Sequence, residues 1–260
     1  MTIWRQLQRK AIMSKVEVGD VFITKSGCTV CVVEYNGWDS IVVEFDTPRQ
    51  YRVTTDSNNL RNGFVKNPYF KSVCDTGYLG VGKWKSREKG KKTRVYACWE
   101  SMICRVYHPL SGNKYPAYSD VVVAEIWHNF QNFASWFSEQ PNSEKAGFDL
   151  DKDLVVMGNR VYSPEYCSFV PQAINRIMKS GSLVPRDLPI GVSRHGNRFR
   201  AKLGIENTAI NLGSYDTPEE AYEVYIKHKT ASVKMLANKY KADLHPAVYK
   251  NLITWGPMPR

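Results

Sequence analysis

Residues 147–178 read GFDLDKDLVVMGNRVYSPEYCSFVPQAINRIM, and this stretch decides the central part of the fold. Two short runs rich in aliphatic and aromatic residues flank a Gly158-Asn159 turn, and an apolar-periodic segment follows Pro171. This order of signals is typical of two strands joined by a turn and followed by a short helix. The sequence therefore predicts a ββα unit here.

Carboxylates mark the first predicted strand of this unit. Asp149, Asp151 and Asp153 occupy alternate positions. Alternate residues of a strand point to the same face, so we expect the three side chains to lie together. Gathered carboxylates favour a divalent cation that neutralises them. A solvated strand edge is the alternative interpretation, and the pattern alone leaves both open.

Two further helices are predicted upstream. Residues 93–108 space their apolar side chains as a helix does. A second helix is predicted to follow Ser119 or Asp120 as its cap and to run to about residue 137. Its predicted apolar face consists of Ile126, Trp127, Phe130, Phe133 and Phe137. His128 falls in this helix, and we expect it to be a structural histidine rather than a ligand.

Residues 189–240 predict a small sheet covered by one helix. The strand 198–205 alternates between two kinds of side chain. Phe199, Ala201, Leu203 and Ile205 form one side, and Arg198, Arg200 and Lys202 form the other. Thr217 and Glu220, with Pro218 between them, predict a capping box at the start of a long helix. We expect the helix to cover the apolar face and to leave the cationic face open.

The rest of the chain completes an α+β protein with three predicted modules. Residues 1–72 contain β-branched runs and tight turns that predict a small antiparallel β module. Residues 73–180 hold the ββα core with its helices, and residues 186–245 hold the three-stranded sheet. Within the core, residues 75–92 are rich in glycine and cations. We expect a flexible basic loop there, with Lys83 and Lys85 tracking a nucleic-acid backbone.

The charge of the 260-residue chain is strongly positive and unevenly placed. The formal net charge is +11, with +9 in residues 61–115, −5 in residues 116–175 and +7 in residues 176–260. A cationic excess favours a polyanionic partner, most simply nucleic acid. No apolar run approaches the ~18 residues of a membrane span. The N-terminus lacks the apolar region of a secretory signal, and six cysteines are ordinary usage. We therefore expect a cytoplasmic protein with no membrane partner.

The stretch from Trp99 to Asn175 resembles the HNH, or ββα-metal, endonucleases of bacteriophages. The segments that carry the resemblance are W99-x-x-M102-x-x-R105, LDKD at 150–153, YSPEYC at 162–167 and FVPQAIN at 169–175. The resemblance implies a divalent metal, Mg²⁺ or Mn²⁺, with Asp151 and Asn175 as ligands. It also implies cleavage of double-stranded DNA, in which the metal stabilises the leaving oxygen and a base activates water.

One position departs from that family's pattern, because Lys152 stands where HNH enzymes carry their general-base histidine. A lysine is ordinarily protonated at neutral pH and cannot take a proton from water. Three explanations remain open: Asp153 or Asp149 shares the base or metal role, His108 or His128 reaches in, or the core is degenerate and only binds DNA. The catalytic candidates are the three residues Asp151, Lys152 and Asp153.

The C-terminal segment resembles the ethylene-response-factor DNA-binding domain of plants, which also occurs in phage homing endonucleases. The resemblance is carried by Gly191-Val192, RFRAKL at 198–203, LGSYDTPEEA at 212–221 and Tyr225. It implies a sheet that enters the major groove. The residues that would contact DNA are Arg194, Arg198, Arg200 and Lys202.

These observations together predict a metal-dependent DNA endonuclease of phage homing type. The first alternative is a non-catalytic DNA-binding protein or regulator built on a degenerate HNH core. The second is an interaction protein that blocks a host nucleic-acid machine, with the N-terminal module as its contact surface. The sequence does not fix the oligomeric state.

Overall fold

A computed structural model describes residues 15–46, 50–108, 120–178, 187–206 and 208–256. It is a mixed α+β structure with several small sheets, which confirms the predicted class. The chain divides into two compact units, residues 1–70 and residues 71–260. The further division at residues 180–186 stays a prediction. In the described ranges, no helix has the length and hydropathy needed to cross a bilayer.

The first unit is an antiparallel sheet built from consecutive strands. Its elements are β1 (Val21–Ile23), β2 (Thr29–Tyr35), β3 (Ile41–Phe45), β4 (Arg52–Thr55) and helix α1 (Ser57–Arg61). The strands pair in the order β1-β2-β3-β4, as expected from short runs joined by tight turns. The alternating residues Val30, Val32, Ile41 and Val43 are fully buried and form the core with Leu60 of α1.

The second unit contains the remaining elements. They are β5 (Arg87–Glu88), β6 (Lys91–Lys92), α2 (Arg94–Tyr107), β7 (Val122–Val123), a 3-10 turn (Glu125–His128), α3 (Phe130–Glu139), β8 (Phe148–Asp151), β9 (Val161–Tyr162), β10 (Ser168–Pro171), α4 (Gln172–Met178), β11 (Val192–His195), β12 (Arg198–Ile205), β13 (Thr208–Tyr215), α5 (Pro218–Lys239), a second 3-10 turn (Lys241–Asp243) and α6 (Pro246–Thr254). Helix α2 confirms the helix predicted over residues 93–108.

An aromatic core joins α2 to α3. Trp99, Trp127, Phe130 and Phe133 are fully buried or nearly so, and the Trp99 indole N–H donates to the Trp127 carbonyl at 2.7 Å. Aromatic rings packed edge to face supply most of the apolar area of this core. The buried carbonyl of Trp127 is satisfied by a side chain because it lies in a 3-10 turn rather than in a regular helix.

The second predicted helix starts later than expected. Helix α3 begins after Asn129, whose side chain accepts from the backbone N–H of Gln131 at 3.0 Å. The residues assigned to its first turns instead form β7, parallel to β9, and the 3-10 turn. Ile126 is consequently 57% exposed and does not belong to the apolar face. The prediction of Asp120 as a cap is therefore wrong, and Ser119 lies outside the described residues.

The C-terminal sheet and helix form as predicted. Strands β11, β12 and β13 pair antiparallel in that order, and helix α5 begins with the capping box of Thr217 and Glu220. The buried residues Ala201, Leu203, Ala221 and Tyr225 join the sheet to the helix. Farther along, α5 contributes to a second core that also includes residues of the ββα unit. This second core contains Leu154, Val170, Ile174, Ile177, Val233, Leu236, Ala237, Leu244, Val248 and Leu252.

Gly191 lies close to the Tyr225 ring, so a substitution at this position tests the packing of the C-terminal module. It has φ +80°, and a Cβ on it would lie 2.2 Å from the Tyr225 ring. We expect Gly191→Ala to lower the free energy of unfolding by about 2 kcal/mol or more, because left-handed strain and overpacking add. Denaturant unfolding measures this loss. Gly204→Ala is the matched control, since Gly204 has open space around it and no left-handed φ. Equal losses in both variants would contradict the packing described.

Candidate active site and nucleic-acid interface

Strands β8 and β10 and helix α4 form a ββα unit, but its second strand is not the predicted one. The strand that follows the Gly158-Asn159 turn is β9, and it pairs with β7 instead. Strands β8 and β10 pair antiparallel, with Asp151 opposite Ser168 and Phe148 opposite Pro171. Helix α4 follows β10 without a loop, and its first N–H, from Gln172, donates to the Gly147 carbonyl at 2.8 Å. Asp151 ends β8, and Asn175 lies in α4. Of residues 162–167, which the HNH resemblance implies as second-strand scaffold, only Tyr162 lies in a strand, β9.

The Asp151 carboxylate is buried and turns the chain at the end of β8. Its Oδ1 accepts from the backbone N–H groups of Asp153, at 3.0 Å, and Leu154, at 2.8 Å. Asp151 is only 8% exposed. Burial, followed by the negative charge of Asp153, raises the pKa of Asp151 from its ordinary 3.8 to about 7, although the two backbone bonds oppose this shift. A cation nearby would favour the ionised form of this carboxyl group.

Lys152 and Asp153 form an ion pair beside that carboxylate. Lys152 is 5% exposed, and its Nζ donates to Asp153 Oδ2 at 3.0 Å and to the Asn159 carbonyl at 3.2 Å. The Asn159 side chain returns a bond to the Lys152 carbonyl at 2.7 Å. The Lys152 ammonium is held between two oxygen acceptors, and these bonds stabilise the turn. The arrangement gives Lys152 no means of acting as a general base.

The three carboxylates do not share one strand face. Asp149 is exposed and accepts from the Gln172 side chain at 3.0 Å, whereas Asp151 is buried. The strand ends at Asp151, so Asp153 lies in the turn beyond it. The prediction of three aligned carboxylates is therefore wrong for Asp153, because the Asp151 side chain itself closes the turn.

The two histidines considered as bases occupy other parts of the fold. His128 ends the 3-10 turn, and its ring packs edge to face on Tyr107 with centroids 5.7 Å apart. Its Nε2 lies 3.5 Å from the Tyr107 hydroxyl, and burial lowers the pKa of His128. These contacts favour the structural role predicted for it. His108 caps the C-terminus of α2, where its backbone N–H donates to the Cys104 carbonyl.

Asp151 and Asn175 could supply only some of the ligands that a hard cation needs. Both offer oxygen, which Mg²⁺ and Mn²⁺ accept. Within the described part of the chain, no group of three His, Cys, Asp or Glu side chains is placed to hold a metal. Mg²⁺ commonly takes one or two carboxylates together with substrate phosphates and water, so this donor set suits a cation completed by DNA.

The open face of the C-terminal sheet carries most of the predicted DNA contacts. Arg198 pairs with His195 across the strands, and Arg200 pairs with Ser193 and Ser214. Directly paired residues lie on the same face, so Ser193 and His195 belong to the cationic face with Lys202. The alternation of Ser193 and His195 along β11 is a sequence signal that could have indicated their place on the cationic face.

The predicted contacts differ in how they are placed. Arg194 pairs with Phe199, on the opposite face of the sheet from Arg198 and Arg200; it is exposed, and its guanidinium lies 5.4 Å from the Phe199 ring centroid. The structure therefore separates Arg194 from the other three cations. Arg198 makes an exposed ion pair with Asp216 at 2.9 Å. Arg200 Nε is buried without a hydrogen-bond partner, and Lys202 is exposed.

Lys83 and Lys85 lie in irregular backbone, as the predicted loop requires, but the end of the segment, residues 87–92, forms a hairpin. Both lysines are exposed and precede β5, which pairs with β6 through Arg87–Lys92 and Glu88–Lys91. Strands of two residues give no periodicity that sequence reasoning can detect. The hairpin nevertheless fixes the backbone that carries its cations.

Comparison of this chain with protein-family models, curated proteins and solved structures finds no match. The assignment of function therefore depends on the geometry described above.

The buried carboxyl group predicts a specific pH dependence in metal-free protein. The folded state holds the Asp151 proton to about pH 7 and the unfolded state only to about pH 4, so folding stability falls as the pH rises between these values. Asp151→Asn keeps an oxygen for the two backbone bonds and removes this titration. We expect the variant to gain at least about 1 kcal/mol relative to wild type from pH 4 to pH 7. Denaturant unfolding in EDTA measures the difference, and parallel stability curves would contradict the assignment.

Proposed function

We propose that the chain is a metal-dependent endonuclease that binds and cleaves double-stranded DNA in the cytoplasm of a host cell. The observation that carries the proposal is the buried Asp151 carboxylate at the end of the first strand of a ββα unit. The open cationic sheet in the same compact unit supports a DNA substrate. Six cysteines without disulfides are consistent with a reducing compartment.

Each residue of the turn has a separate role in this proposal. Asp151 Oδ1 holds the backbone of Asp153 and Leu154, and in this proposal the Asp151 carboxylate and the Asn175 side-chain oxygen would be the protein ligands of a cation. When bound, Mg²⁺ or Mn²⁺ would stabilise charge on the leaving oxygen of the phosphodiester. Asp153 lies in the turn that Asp151 begins, and its side chain is 45% exposed, so water can reach it. It is our candidate for the proton acceptor, with Lys152 holding it in place.

Plasmid nicking tests the catalytic proposal. We expect wild-type protein to nick supercoiled DNA in Mg²⁺ or Mn²⁺ and not in EDTA. Asp151→Asn and Asn175→Ala are expected to reduce the rate by about 100-fold or more, because each removes a metal ligand. Asp149→Asn is the matched control, since this neighbouring carboxylate is exposed and bonded to Gln172. Full activity in Asp151→Asn would overturn the site.

The second candidate function is DNA binding without cleavage. It is favoured by the Lys152–Asp153 ion pair, because an internal ammonium already occupies one oxygen of the available carboxylate. On this alternative, wild-type protein binds DNA with equal affinity in Mg²⁺ and in EDTA and gives no nicked product. The same nicking assay therefore separates the two candidates.

The cationic face predicts which side chains matter for DNA affinity. Arg200→Gln and Lys202→Gln are expected to weaken binding by about tenfold each, because both contribute to the open face. Arg194→Gln removes the same charge from the opposite face of the sheet, so it should change affinity by less than about threefold. Fluorescence anisotropy with a labelled duplex measures all three. A loss in Arg194→Gln as large as in the others would show that the wrong face was chosen.

A further inference from the structure

The hairpin that precedes α2 presents an unusual density of positive charge. Residues 83–92 contain six cations and one carboxylate. The six cations are Lys83, Lys85, Arg87, Lys89, Lys91 and Lys92, and all are exposed. Strands β5 and β6 bury none of their four residues, so the hairpin contributes nothing to an apolar core.

Specific bonds build the hairpin despite this lack of burial. Lys89 and Gly90 both have positive φ, +47° and +78°, as a two-residue hairpin turn requires. The Arg87 guanidinium donates to the Gly90 carbonyl at 3.0 Å. At the open end, Thr93 Oγ1 donates to the Lys85 carbonyl at 2.9 Å. The hairpin therefore has its own structure without a bound partner.

The start of α3 anchors the segment that leads into the hairpin. The Gln131 side chain accepts from the Trp84 N–H at 3.0 Å and donates to the Trp84 carbonyl at 3.0 Å. A Cβ on Gly82 would lie 2.3 Å from the Gln131 side-chain oxygen, and one on Gly80 would lie 2.1 Å from that of Asn129. Two glycines and two amides thus fix the base of the ribbon to the helix that also bears the aromatic core.

The charge arrangement is unfavourable for folding alone. Arg87 and Lys92 are directly opposite one another, and like charges in that position destabilise a sheet. The Lys92–Glu100 ion pair relieves part of this repulsion. An isolated two-stranded hairpin with no apolar face is marginal in water, so the amide anchor has to maintain it. A bound polyanion would neutralise these like charges, so the crowding that destabilises the free hairpin would favour binding.

We propose that this hairpin is a second DNA contact, which grips the phosphate backbone of a duplex independently of the C-terminal sheet. The inference rests on the proposed function, namely that the chain binds double-stranded DNA. A two-stranded ribbon fits a DNA groove, and lysine-rich side chains bind phosphates as point charges rather than read bases. The contact therefore adds affinity without sequence preference.

The experiment compares two triple variants of the full-length chain. The first, Lys85→Gln with Lys89→Gln and Lys91→Gln, removes three charges from the hairpin. The second, Lys227→Gln with Lys234→Gln and Lys250→Gln, removes three charges from exposed positions of α5 and α6. Duplex affinity is measured by anisotropy at several salt concentrations, and circular dichroism checks that both variants are folded.

The salt dependence decides the outcome. We expect the hairpin variant to reduce the slope of log affinity against log salt by about 2 to 3 and to lose about tenfold or more in affinity. The control variant should keep the wild-type slope. Identical slopes in hairpin variant and wild type would overturn the hairpin contact while leaving the proposed function intact. Absence of duplex binding by the wild type would instead overturn the proposed function.

A variant that keeps every charge provides an independent check. Gln131→Leu removes the bonds to Trp84 and leaves all six cations in place. If a fixed ribbon is what grips phosphate, this variant loses affinity for the duplex, by about threefold or more, and trypsin cleaves it faster between residues 83 and 92. Unchanged affinity together with faster cleavage would show that ribbon geometry is irrelevant, and would overturn the preformed grip.

Discussion

The two hydrogen bonds accepted by Asp151 Oδ1 are the constraint on which the centre of this protein depends. They stop β8, direct the chain through Asp153 and Leu154, and thereby bring Lys152 to Asn159. The carboxylate is buried because it does this structural work, and burial is also what raises its pKa. A single side chain therefore sets both the local fold and the electrostatics of the candidate active site.

The chemistry of the turn is a competition between cations for a small number of oxygens. The Lys152 ammonium already bonds Asp153, and Asp151 Oδ1 already accepts two backbone N–H groups, so both carboxylates of the turn have partners within the protein. A buried ammonium between two acceptors is costly to displace, because removing one partner leaves the other unpaired. In the function that we propose, phosphate oxygens of the DNA would therefore have to complete the coordination of a metal at this turn.

Periodic patterns were sufficient to predict the elements whose partners are close in sequence. Helix α2, the β12 alternation and the Thr217–Glu220 capping box follow directly from local spacing. The failures have a common physical cause, which is that a distant segment decides the conformation. Residues 122–123 become a strand because 161–162 pair with them, and Arg194 lies on the opposite face from Arg198 because of its register against Phe199. The pattern of alternating acids failed at Asp153 because a side chain, not the backbone period, ends the strand.

The C-terminal helices join the cationic sheet to the ββα unit as one packed body. Val233 and Leu236 of α5 share a core with Leu154 and Ile174. The Asn251 side chain donates to the carbonyls of Leu154 and Val155, both at 3.0 Å, in the turn that Asp151 begins. A module on a flexible tether would gain affinity only through effective concentration. Here, the position of the sheet relative to the acidic turn is set by apolar packing and by the amide bonds of Asn251, so the two proposed functional surfaces are held at a fixed distance.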